Sequence, residues 1–317
     1  MKPTVVLAAL LVAACGSPTT LPPVTVDPCP TARPDFGVAT AADRSWFAYD
    51  VHAPLDLQTT LESTTNGVET RVISFSSPDG GRATGLLFDP VTRSSLRPGV
   101  VLMHGAPGTA RSTAAGAQQL AEQGAVVVAI DAPFARRPGP WLRFGPEDRA
   151  EQVQLIKDLQ RAVDLLRARP NVDAGRIAYL GYSYGGAMGA LFVGVERRIK
   201  TAVLVVGDGG LVSHFTGAED SNGALAGLSC EVRTGWLRSM APVEPIRFIA
   251  NAPPTTLLLQ SGRSDALVPA ADAAALHAAA PEPKTVRWYE AGHALNQQAA
   301  FDRMDWLHAE IGLDARR

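Results

Sequence analysis

Gly181-Tyr182-Ser183-Tyr184-Gly185, in one-letter code GYSYG, directly follows the apolar run Ile-Ala-Tyr-Leu at residues 177–180. Glycines on both sides of a serine let the backbone turn sharply from a strand into a helix without a clash of Cβ atoms. The serine hydroxyl is then exposed at the turn, and the backbone N–H groups that follow it can point at a developing oxyanion. Because Gly and Ser are common residues, the pattern alone is weak. The prediction of a nucleophile at Ser183 therefore depends on what the rest of the chain supplies.

The composition is typical of one large globular domain. The chain has 317 residues, of which 46% are hydrophobic and 19% are charged, so a substantial core can form. The net charge is −2 and the isoelectric point is about 6.3. No basic stripe is visible, so we expect no nucleic-acid partner. No run of about 18 apolar residues suggests a membrane-spanning helix.

The N-terminus has the pattern of an exported protein. Lys2 precedes a short apolar run at residues 5–14, which has the shape of a secretory signal peptide. The sequence Val-Ala-Ala-Cys at residues 12–15 resembles the bacterial lipobox, whose cysteine is lipidated and becomes the new N-terminus. This resemblance implies a signal peptide at residues 1–14 and a lipid anchor on Cys15, at the periplasmic face of the outer membrane in a Gram-negative cell. An ordinary signal peptide followed by an incidental cysteine is the alternative.

Residues 15–34 are rich in Pro, Thr and Ser, a composition typical of a tether. Residues 35–317 then form the globular domain. The chain has two further cysteines, Cys29 and Cys230. In an exported protein they can form a disulfide that joins the tether to the domain. Two unrelated thiols are equally compatible with the sequence, and only the distance between the two Cα atoms decides.

Extended and helical patterns alternate from residue 70 onward. The first two extended segments flank a Pro-Asp-Gly-Gly turn at residues 78–81 and predict an antiparallel hairpin. The later ones are nearly continuous apolar runs, as in parallel sheets that are covered on both faces. We therefore predict an α/β fold with a mostly parallel, eight-stranded sheet and helices on both faces. The eight predicted strands are 70–76, 83–88, 99–103, 125–130, 177–180, 201–206, 255–260 and 284–289.

A serine nucleophile needs a base, and the base needs a partner that fixes its tautomer. His293 lies in a glycine-bearing loop directly after the last predicted strand, whereas the other five histidines precede the sheet, fall on predicted helices or belong to other loops. Asp265 follows the strand at residues 255–260. We predict His293 as the base and Asp265 as the acid. Asp208 and Asp272 are the alternative acids, although Asp272 is at a position typical of a helix start.

The oxyanion hole requires two preorganised N–H donors. One is predicted to be the backbone N–H of Tyr184, which follows the serine. The second is predicted to come from the loop His-Gly-Ala-Pro-Gly at residues 104–108. Because Pro107 has no N–H group, the donor there is Ala106. His104 is predicted to brace this loop.

A long insertion at residues 207–254 separates two predicted strands, and segments of this length are often lids. It contains Phe215 and Trp236, which we predict to line the substrate pocket. A second wall is predicted from the segment 133–146, which contributes Trp141. Arg136 and Arg137 in this segment can bind a substrate carboxylate, but surface ion pairs are the more common use of such residues.

Taken together, these motifs resemble the α/β-hydrolases of the dienelactone-hydrolase and acylaminoacyl-peptidase-like group. The resemblance covers residues 47–307 and rests on Leu-Met-His-Gly at 102–105, the GYSYG segment, Ser-Gly-Arg-Ser-Asp at 261–265 and Ala-Gly-His at 291–293. The chain order Ser183, Asp265, His293 matches the order of the catalytic residues in that fold. The chain departs from dienelactone hydrolases at the nucleophile, which is a cysteine in those enzymes.

The predicted function is hydrolysis of carboxylic esters of small molecules through an acyl-enzyme on Ser183. The alternatives are an amide hydrolase similar to acylaminoacyl peptidases, an acyltransferase, and a lipid-anchored binding protein that has lost turnover. We expect no cofactor and no metal, because the chain has neither an HExxH motif nor a GxGxxG fingerprint nor a Cys/His cluster. The expected partners are an ester substrate and, through Cys15, a membrane. The sequence leaves the oligomeric state open.

Overall fold

The computed structural model describes residues 35–91, 96–216 and 223–314. In these residues nine strands form a single sheet. Six of them are buried along most of their length, which agrees with their continuous apolar sequences. The strands are β1 (Gln58–Thr65), β2 (Val68–Ser76), β3 (Arg82–Pro90), β4 (Arg97–Met103), β5 (Val126–Ile130), β6 (Val172–Tyr182), β7 (Thr201–Val205), β8 (Thr256–Gly262) and β9 (Lys284–Tyr289).

The strand order is β1-β2-β3-β5-β4-β6-β7-β8-β9. Strands β4 to β9 run parallel to one another, whereas β1 and β2, β2 and β3, and β3 and β5 pair antiparallel. The predicted mostly parallel sheet and the predicted hairpin are therefore confirmed. The predicted number of strands was one too low, because β1 was missed. Every residue of β1 is exposed, so it carries no apolar alternation that would mark it in the sequence.

Helices cover both faces of the sheet. Along β4, Val101 and Met103 face the cluster that contains helix α3, while Val100 and Leu102 face the cluster that contains α2 and the C-terminal helix. This alternation follows from the two-residue period of a strand. The helices are α1 (Ala41–Ser45), α2 (Ala114–Glu122), α3 (Pro146–Arg167), α4 (Tyr184–Val195), α5 (Leu211–Phe215), α6 (Cys230–Met240), α7 (Pro245–Phe248), α8 (Ala270–Ala279) and α9 (Gln297–Ile311).

The insertion between β7 and β8 contains α5, α6 and α7, together with two short 3₁₀ turns at Ala241–Val243 and Ile249–Asn251. Its large side chains pack into the main core, as the burial of Trp236 and Phe248 shows. Residues 217–222 lie outside the described part of the chain. The predicted lid role of this insertion stays a prediction.

The predicted signal peptide, Cys15 and the tether lie outside the described residues, so all three stay predictions. Cys230 is the first residue of α6 and is disulfide-bonded. Cys29 also lies outside the described residues, and its pairing with Cys230 stays a prediction. Among the helices that the structure describes, none combines the length and the apolar character needed to cross a membrane.

Candidate active site

Ser183 is the hinge between β6 and α4. Its backbone has φ 52° and ψ −114°, an uncommon conformation for a residue with a side chain, which costs about 1–3 kcal/mol. The N–H of Ser183 donates to the carbonyl of Val205 on β7 at 2.8 Å, and its own carbonyl accepts from the N–H of Ala187 at 2.9 Å. The first bond joins the turn to the neighbouring strand β7. The second is the first hydrogen bond of helix α4. The predicted strand–turn–helix at Ser183 is confirmed.

The two glycines of GYSYG are required by close backbone approach. A Cβ atom on Gly181 would lie 2.2 Å from the carbonyl oxygen of Gly185. A Cβ atom on Gly185 would lie 2.5 Å from the carbonyl oxygen of Met103 at the end of β4. Both distances are far below van der Waals contact, so no other residue fits without moving backbone.

The structure brings the three residues of the predicted triad together. The Nε2 atom of His293 lies 2.9 Å from Oγ of Ser183, and Nδ1 of His293 lies 2.8 Å from Oδ2 of Asp265. The other carboxylate oxygen of Asp265 accepts the backbone N–H groups of Leu267 at 2.9 Å and Val268 at 3.0 Å. These bonds fix the carboxylate in the loop after β8. The carboxylate in turn fixes the orientation of the imidazole.

The electrostatics of this group favour an anionic Asp265. Burial raises the pKa of Asp265, but hydrogen bonds from His293, Val268 and Leu267 outweigh it and hold that pKa below its usual value. An anionic carboxylate accepts a hydrogen bond from the Nδ1–H group of the imidazole. The neutral ring then presents Nε2 to the Ser183 hydroxyl as a hydrogen-bond acceptor. The arrangement can therefore take a proton from the hydroxyl as its oxygen attacks an electrophile.

Both predicted oxyanion donors lie beside Ser183. The loop after β4 packs directly on the serine, since a Cβ atom on Gly105 would lie 3.1 Å from Cβ of Ser183. Ala106, the next residue, borders the same cavity as Ser183 and Tyr184. Tyr184 is the first residue of α4, where backbone N–H groups have no partner within the helix.

His104 holds this loop in place. Its Nε2 accepts the backbone N–H of Ala132 at 3.0 Å, and its Nδ1 donates to the carbonyl of Gly105 at 2.8 Å. This pattern requires a neutral imidazole. Burial lowers the pKa of His104, which keeps the ring neutral. The contacts agree with the bracing role predicted from the sequence.

A cavity of about 180 Å³ adjoins Ser183. Trp141 lines it, as predicted, but Phe215 and Trp236 do not. Both of these side chains are nearly fully buried, and the ring of Phe215 packs against that of Trp141. The apolar part of the lining comes instead from smaller residues, which include Leu211, Leu267 and Val268.

Aromatic rings form a wall behind the cavity. The ring centroids of Trp141 and Phe215 are 6.4 Å apart, those of Phe215 and Trp236 are 5.7 Å apart, and those of Phe144 and Trp236 are 5.1 Å apart. Asp148, in the first turn of α3, accepts the N–H of Phe144 and the indole N–H of Trp236, each at 2.8 Å. One buried carboxylate therefore joins the insertion to the segment that carries Trp141.

The two arginines considered as carboxylate binders are engaged elsewhere. Arg136 donates to Asp158 at 2.7 Å and to the carbonyl of Asp131. Arg137 forms an ion pair with Glu151. Neither arginine lines the cavity. The structure supports the interpretation that they form ion pairs.

The alternative acids do not contact His293 in the described part of the chain. Asp272 lies in the first turn of α8, in agreement with the helix-start interpretation. Asp208 pairs with His214 instead: Oδ2 of Asp208 lies 2.8 Å from Nδ1 of His214. The sequence reasoning missed this pair. The available signal was that Asp208 and His214 are six residues apart and follow a predicted strand. This position places both residues near the same edge of the sheet.

The short helix α5, which carries His214, is held by Glu244. This carboxyl accepts the backbone N–H of Val212 at 3.0 Å and that of Ser213 at 2.7 Å. Glu244 is 0% exposed. Burial raises the pKa of Glu244 to about 8, against the opposing effect of these hydrogen bonds.

We expect Glu244 to make the protein less stable as the pH rises from 5 to 8. Its folded-state pKa lies above the unfolded value near 4.5, so the folded state binds more protons across this range and loses stability as they dissociate. The free energy of unfolding should fall by roughly 1 kcal/mol per pH unit at most. Urea unfolding of wild type and Glu244→Gln at several pH values measures this slope, which the variant lacks. Exposed Glu290→Gln is the matched control and retains it, whereas parallel curves for wild type and Glu244→Gln would contradict the assignment.

The fold matches solved α/β-hydrolases. An acetyl xylan esterase from Paenibacillus sp. R4 superposes with a TM-score of 0.69 at 21% identity, over 88% of this chain and 97% of that chain. An acylaminoacyl peptidase from Pyrococcus horikoshii superposes with a TM-score of 0.61 at 16% identity, over 79% of this chain and 43% of that chain. At these identities the similarity shows the fold, and it confirms the predicted α/β-hydrolase resemblance.

Sequence comparison gives a relative and a family. The uncharacterized protein PA2218 of Pseudomonas aeruginosa is 28% identical over 138 residues, which are 43% of this chain and 36% of that protein. The aligned segment thus spans about a third of the relative's length. The prolyl oligopeptidase family model matches residues 111–291, more than half of the chain, and this range includes Ser183 and Asp265. The chain therefore has the α/β-hydrolase fold and belongs to the prolyl oligopeptidase family.

Proposed function

We propose that this protein is a serine hydrolase that cleaves carboxylic esters of small molecules through an acyl-enzyme on Ser183. The observation that carries the proposal is the continuous chain of contacts from Asp265 through His293 to Ser183, with distances of 2.8 and 2.9 Å. It ends at a cavity of about 180 Å³. A cavity of this size suits one compact acyl or alcohol group rather than a folded protein surface.

In the proposed reaction, Oγ of Ser183 attacks the ester carbonyl carbon while its proton passes to Nε2 of His293. The N–H groups of Ala106 and Tyr184 stabilise the resulting oxyanion. The bond between carbon and the alcohol oxygen then breaks, and the alcohol leaves with the proton from His293. Water repeats the sequence on the acyl-enzyme, which releases the acid and restores the serine. Asp265 stabilises the imidazolium in both halves.

A peptidase is the second candidate, and the match to the prolyl oligopeptidase family favours it. The same acyl-enzyme forms from an amide, but the leaving amine needs protonation before it departs. The ester proposal is supported by the small cavity and by the fold shared with an acetyl xylan esterase. The two candidate reactions share the attack by Ser183 and the acyl-enzyme. They differ only in the leaving group, which is an alcohol for the ester and an amine for the amide.

A matched pair of substrates separates them. We expect kcat/KM for p-nitrophenyl butyrate to exceed that for butyryl p-nitroanilide, which has the same acyl group, by at least about 100-fold, or roughly 3 kcal/mol in barrier height. Equal or faster cleavage of the anilide would overturn the ester proposal in favour of the peptidase. The release of p-nitrophenol or p-nitroaniline gives a direct spectrophotometric readout for both.

A further inference from the structure

Among the described residues that line the cavity beside Ser183, Trp141 has the largest side chain. The aliphatic lining residues are smaller and are Ala106, Ala187, Leu211, Leu267 and Val268. Asp208 and His214 also border the cavity, and their side chains are hydrogen-bonded to each other. The room beside the serine therefore depends more on Trp141 than on any other single side chain.

Ring contacts fix the position of the Trp141 side chain. Its ring centroid lies 6.0 Å from that of Phe134, 6.1 Å from that of Tyr184 and 6.4 Å from that of Phe215. The contacts with Phe134 and Tyr184 are edge-to-face, at interplanar angles of 71° and 78°, which is a favourable arrangement of aromatic rings. Turning the indole away from the cavity would break these contacts.

The backbone around Trp141 is held as well. Arg137 donates to the carbonyl of Pro140 at 2.7 Å and to that of Trp141 at 3.4 Å. The guanidinium of Arg137 also forms an ion pair with Glu151 on α3, so the segment is joined to a long helix that packs on the sheet. Trp141 is therefore a fixed limit of the cavity rather than a side chain that makes room for a longer group.

The size of the cavity determines what this limit allows. Ser183 borders the cavity, so the acyl group or the alcohol group of an ester bound at the serine enters it. The cavity volume is about 180 Å³, compared with roughly 150 Å³ for an engineered cavity that binds benzene. In proportion, the cavity holds about seven non-hydrogen atoms. Because most of the lining residues are apolar, the matching group is a short hydrocarbon chain or a single ring.

We propose that Trp141 is a specificity-determining residue, which limits the substrate to esters with a compact apolar group of up to about seven non-hydrogen atoms and excludes longer chains. The inference rests on the proposed ester hydrolysis at Ser183. The compact group belongs to the acyl part or to the alcohol part of the ester. The chemistry is the same in both cases, and the substrates of the test distinguish the two.

The test uses two matched series of straight-chain esters. The acyl series comprises p-nitrophenyl acetate, butyrate, hexanoate, octanoate and decanoate. The alcohol series comprises the acetates of ethanol, butanol, hexanol, octanol and decanol, with acid release followed by titration. In at least one series we expect kcat/KM to rise about 3-fold per added methylene up to the six- or eight-carbon member, and to fall about 10-fold or more for the ten-carbon member. Profiles that are flat or still rising at ten carbons in both series would overturn the inference.

Replacing Trp141 with Ala ties the limit to this side chain. In the series that shows the limit, the ratio of kcat/KM for the ten-carbon member to that for the six-carbon member should rise at least about 10-fold, because the indole no longer occupies the space. Trp141→Leu is a smaller change that serves if Trp141→Ala does not fold, and it should raise the same ratio at least about 3-fold. An unchanged ratio in the folded variant would overturn the assignment to Trp141.

Trp46→Ala is the matched control for these variants. Trp46 is 44% exposed, lies outside the lining of the cavity and contacts the guanidinium of Arg149. We expect this variant to keep the wild-type ratio of ten-carbon to six-carbon substrate. A ratio that rose as much in Trp46→Ala as in Trp141→Ala would overturn the assignment, because the shift would then follow from the loss of any tryptophan.

Labelling of Ser183 by a fluorophosphonate distinguishes failure of the inference from failure of the proposed function. Full labelling and ester turnover without a chain-length limit would overturn the specificity role alone. Absence of both labelling and turnover in folded wild type would overturn the ester hydrolysis on which the inference rests, and the inference with it.

Discussion

Replacing Ser183 with Ala is expected to lower kcat for p-nitrophenyl butyrate by roughly 10⁴- to 10⁶-fold. The hydroxyl oxygen is the atom that forms the acyl-enzyme in the proposed mechanism, and the 2.9 Å contact with Nε2 of His293 is its route for losing a proton. Alanine retains the backbone and removes only this oxygen. Initial rates and the pre-steady-state burst of p-nitrophenol measure the effect, and the variant should show no burst.

Ser264→Ala is the matched control for this variant. Ser264 is exposed and lies at the same edge of the sheet, next to Asp265. We expect its kcat to stay within about 3-fold of wild type, as for most surface substitutions away from reacting groups. Ser183→Ala should also unfold within a few degrees of wild type. A folded Ser183→Ala protein that retained more than a tenth of the wild-type kcat would contradict the role of the serine.

Replacing Asp265 with Asn is expected to lower kcat by roughly 10³- to 10⁴-fold. The carboxylate accepts three hydrogen bonds, from Nδ1 of His293 and from the N–H groups of Leu267 and Val268. In asparagine one of the two acceptor oxygens becomes an NH₂ donor. If that NH₂ faces Nδ1, the imidazole takes the other tautomer and its Nε2 carries the proton. The ring can then no longer accept the proton of Ser183.

Asp272→Asn provides the comparison for Asp265→Asn. Asp272 was the alternative acid on sequence grounds, but it lies in the first turn of α8. We expect Asp272→Asn to change the thermal midpoint rather than kcat, since a first-turn carboxylate interacts with the helix dipole. Equal losses of kcat in the two variants would contradict the assignment of Asp265, as would a kcat for folded Asp265→Asn within 10-fold of wild type.

The parallel part of the sheet was predictable because burial on both faces leaves a direct trace in the sequence. Strand β5 is apolar at every position, and β7 is apolar at every position after Thr201, a pattern typical of strands in parallel sheets. Strand β1 leaves no such trace. Its eight residues are exposed and mostly polar, and it is a strand because it pairs with β2 along its whole length. That pairing is a tertiary fact that local sequence does not encode.

The candidate site was predictable where a residue follows a strand at the carboxyl edge of the sheet. Ser183, Asp265 and His293 each follow a predicted strand. The sequence alone therefore indicated that the three residues lie at the same edge of the sheet. The pocket walls were harder to predict. Phe215 and Trp236 were chosen because they are large and apolar, yet they face the core. Size and apolar character indicate that a side chain is buried, but they do not show whether it borders a cavity or packs into the core.

The contacts that depend on this insertion were missed because they join residues that are far apart in the sequence. Glu244 reaches the N–H groups of Val212 and Ser213 from 31 to 32 residues away. Asp148 reaches Trp236 across 88 residues. Such partners are set by how α5 and α6 pack on the rest of the molecule. Neither residue lies in a motif that would indicate its role.

The most direct measurement is the mass of the Ser183 peptide after treatment of the full chain with a fluorophosphonate probe, followed by proteolysis and mass spectrometry. We predict one phosphonyl group per protein molecule, located on Ser183, and a labelling rate that falls at least 100-fold in His293→Ala, because the hydroxyl then lacks its base. A folded wild-type protein that acquires no adduct, or carries it on a residue other than Ser183, would contradict the account.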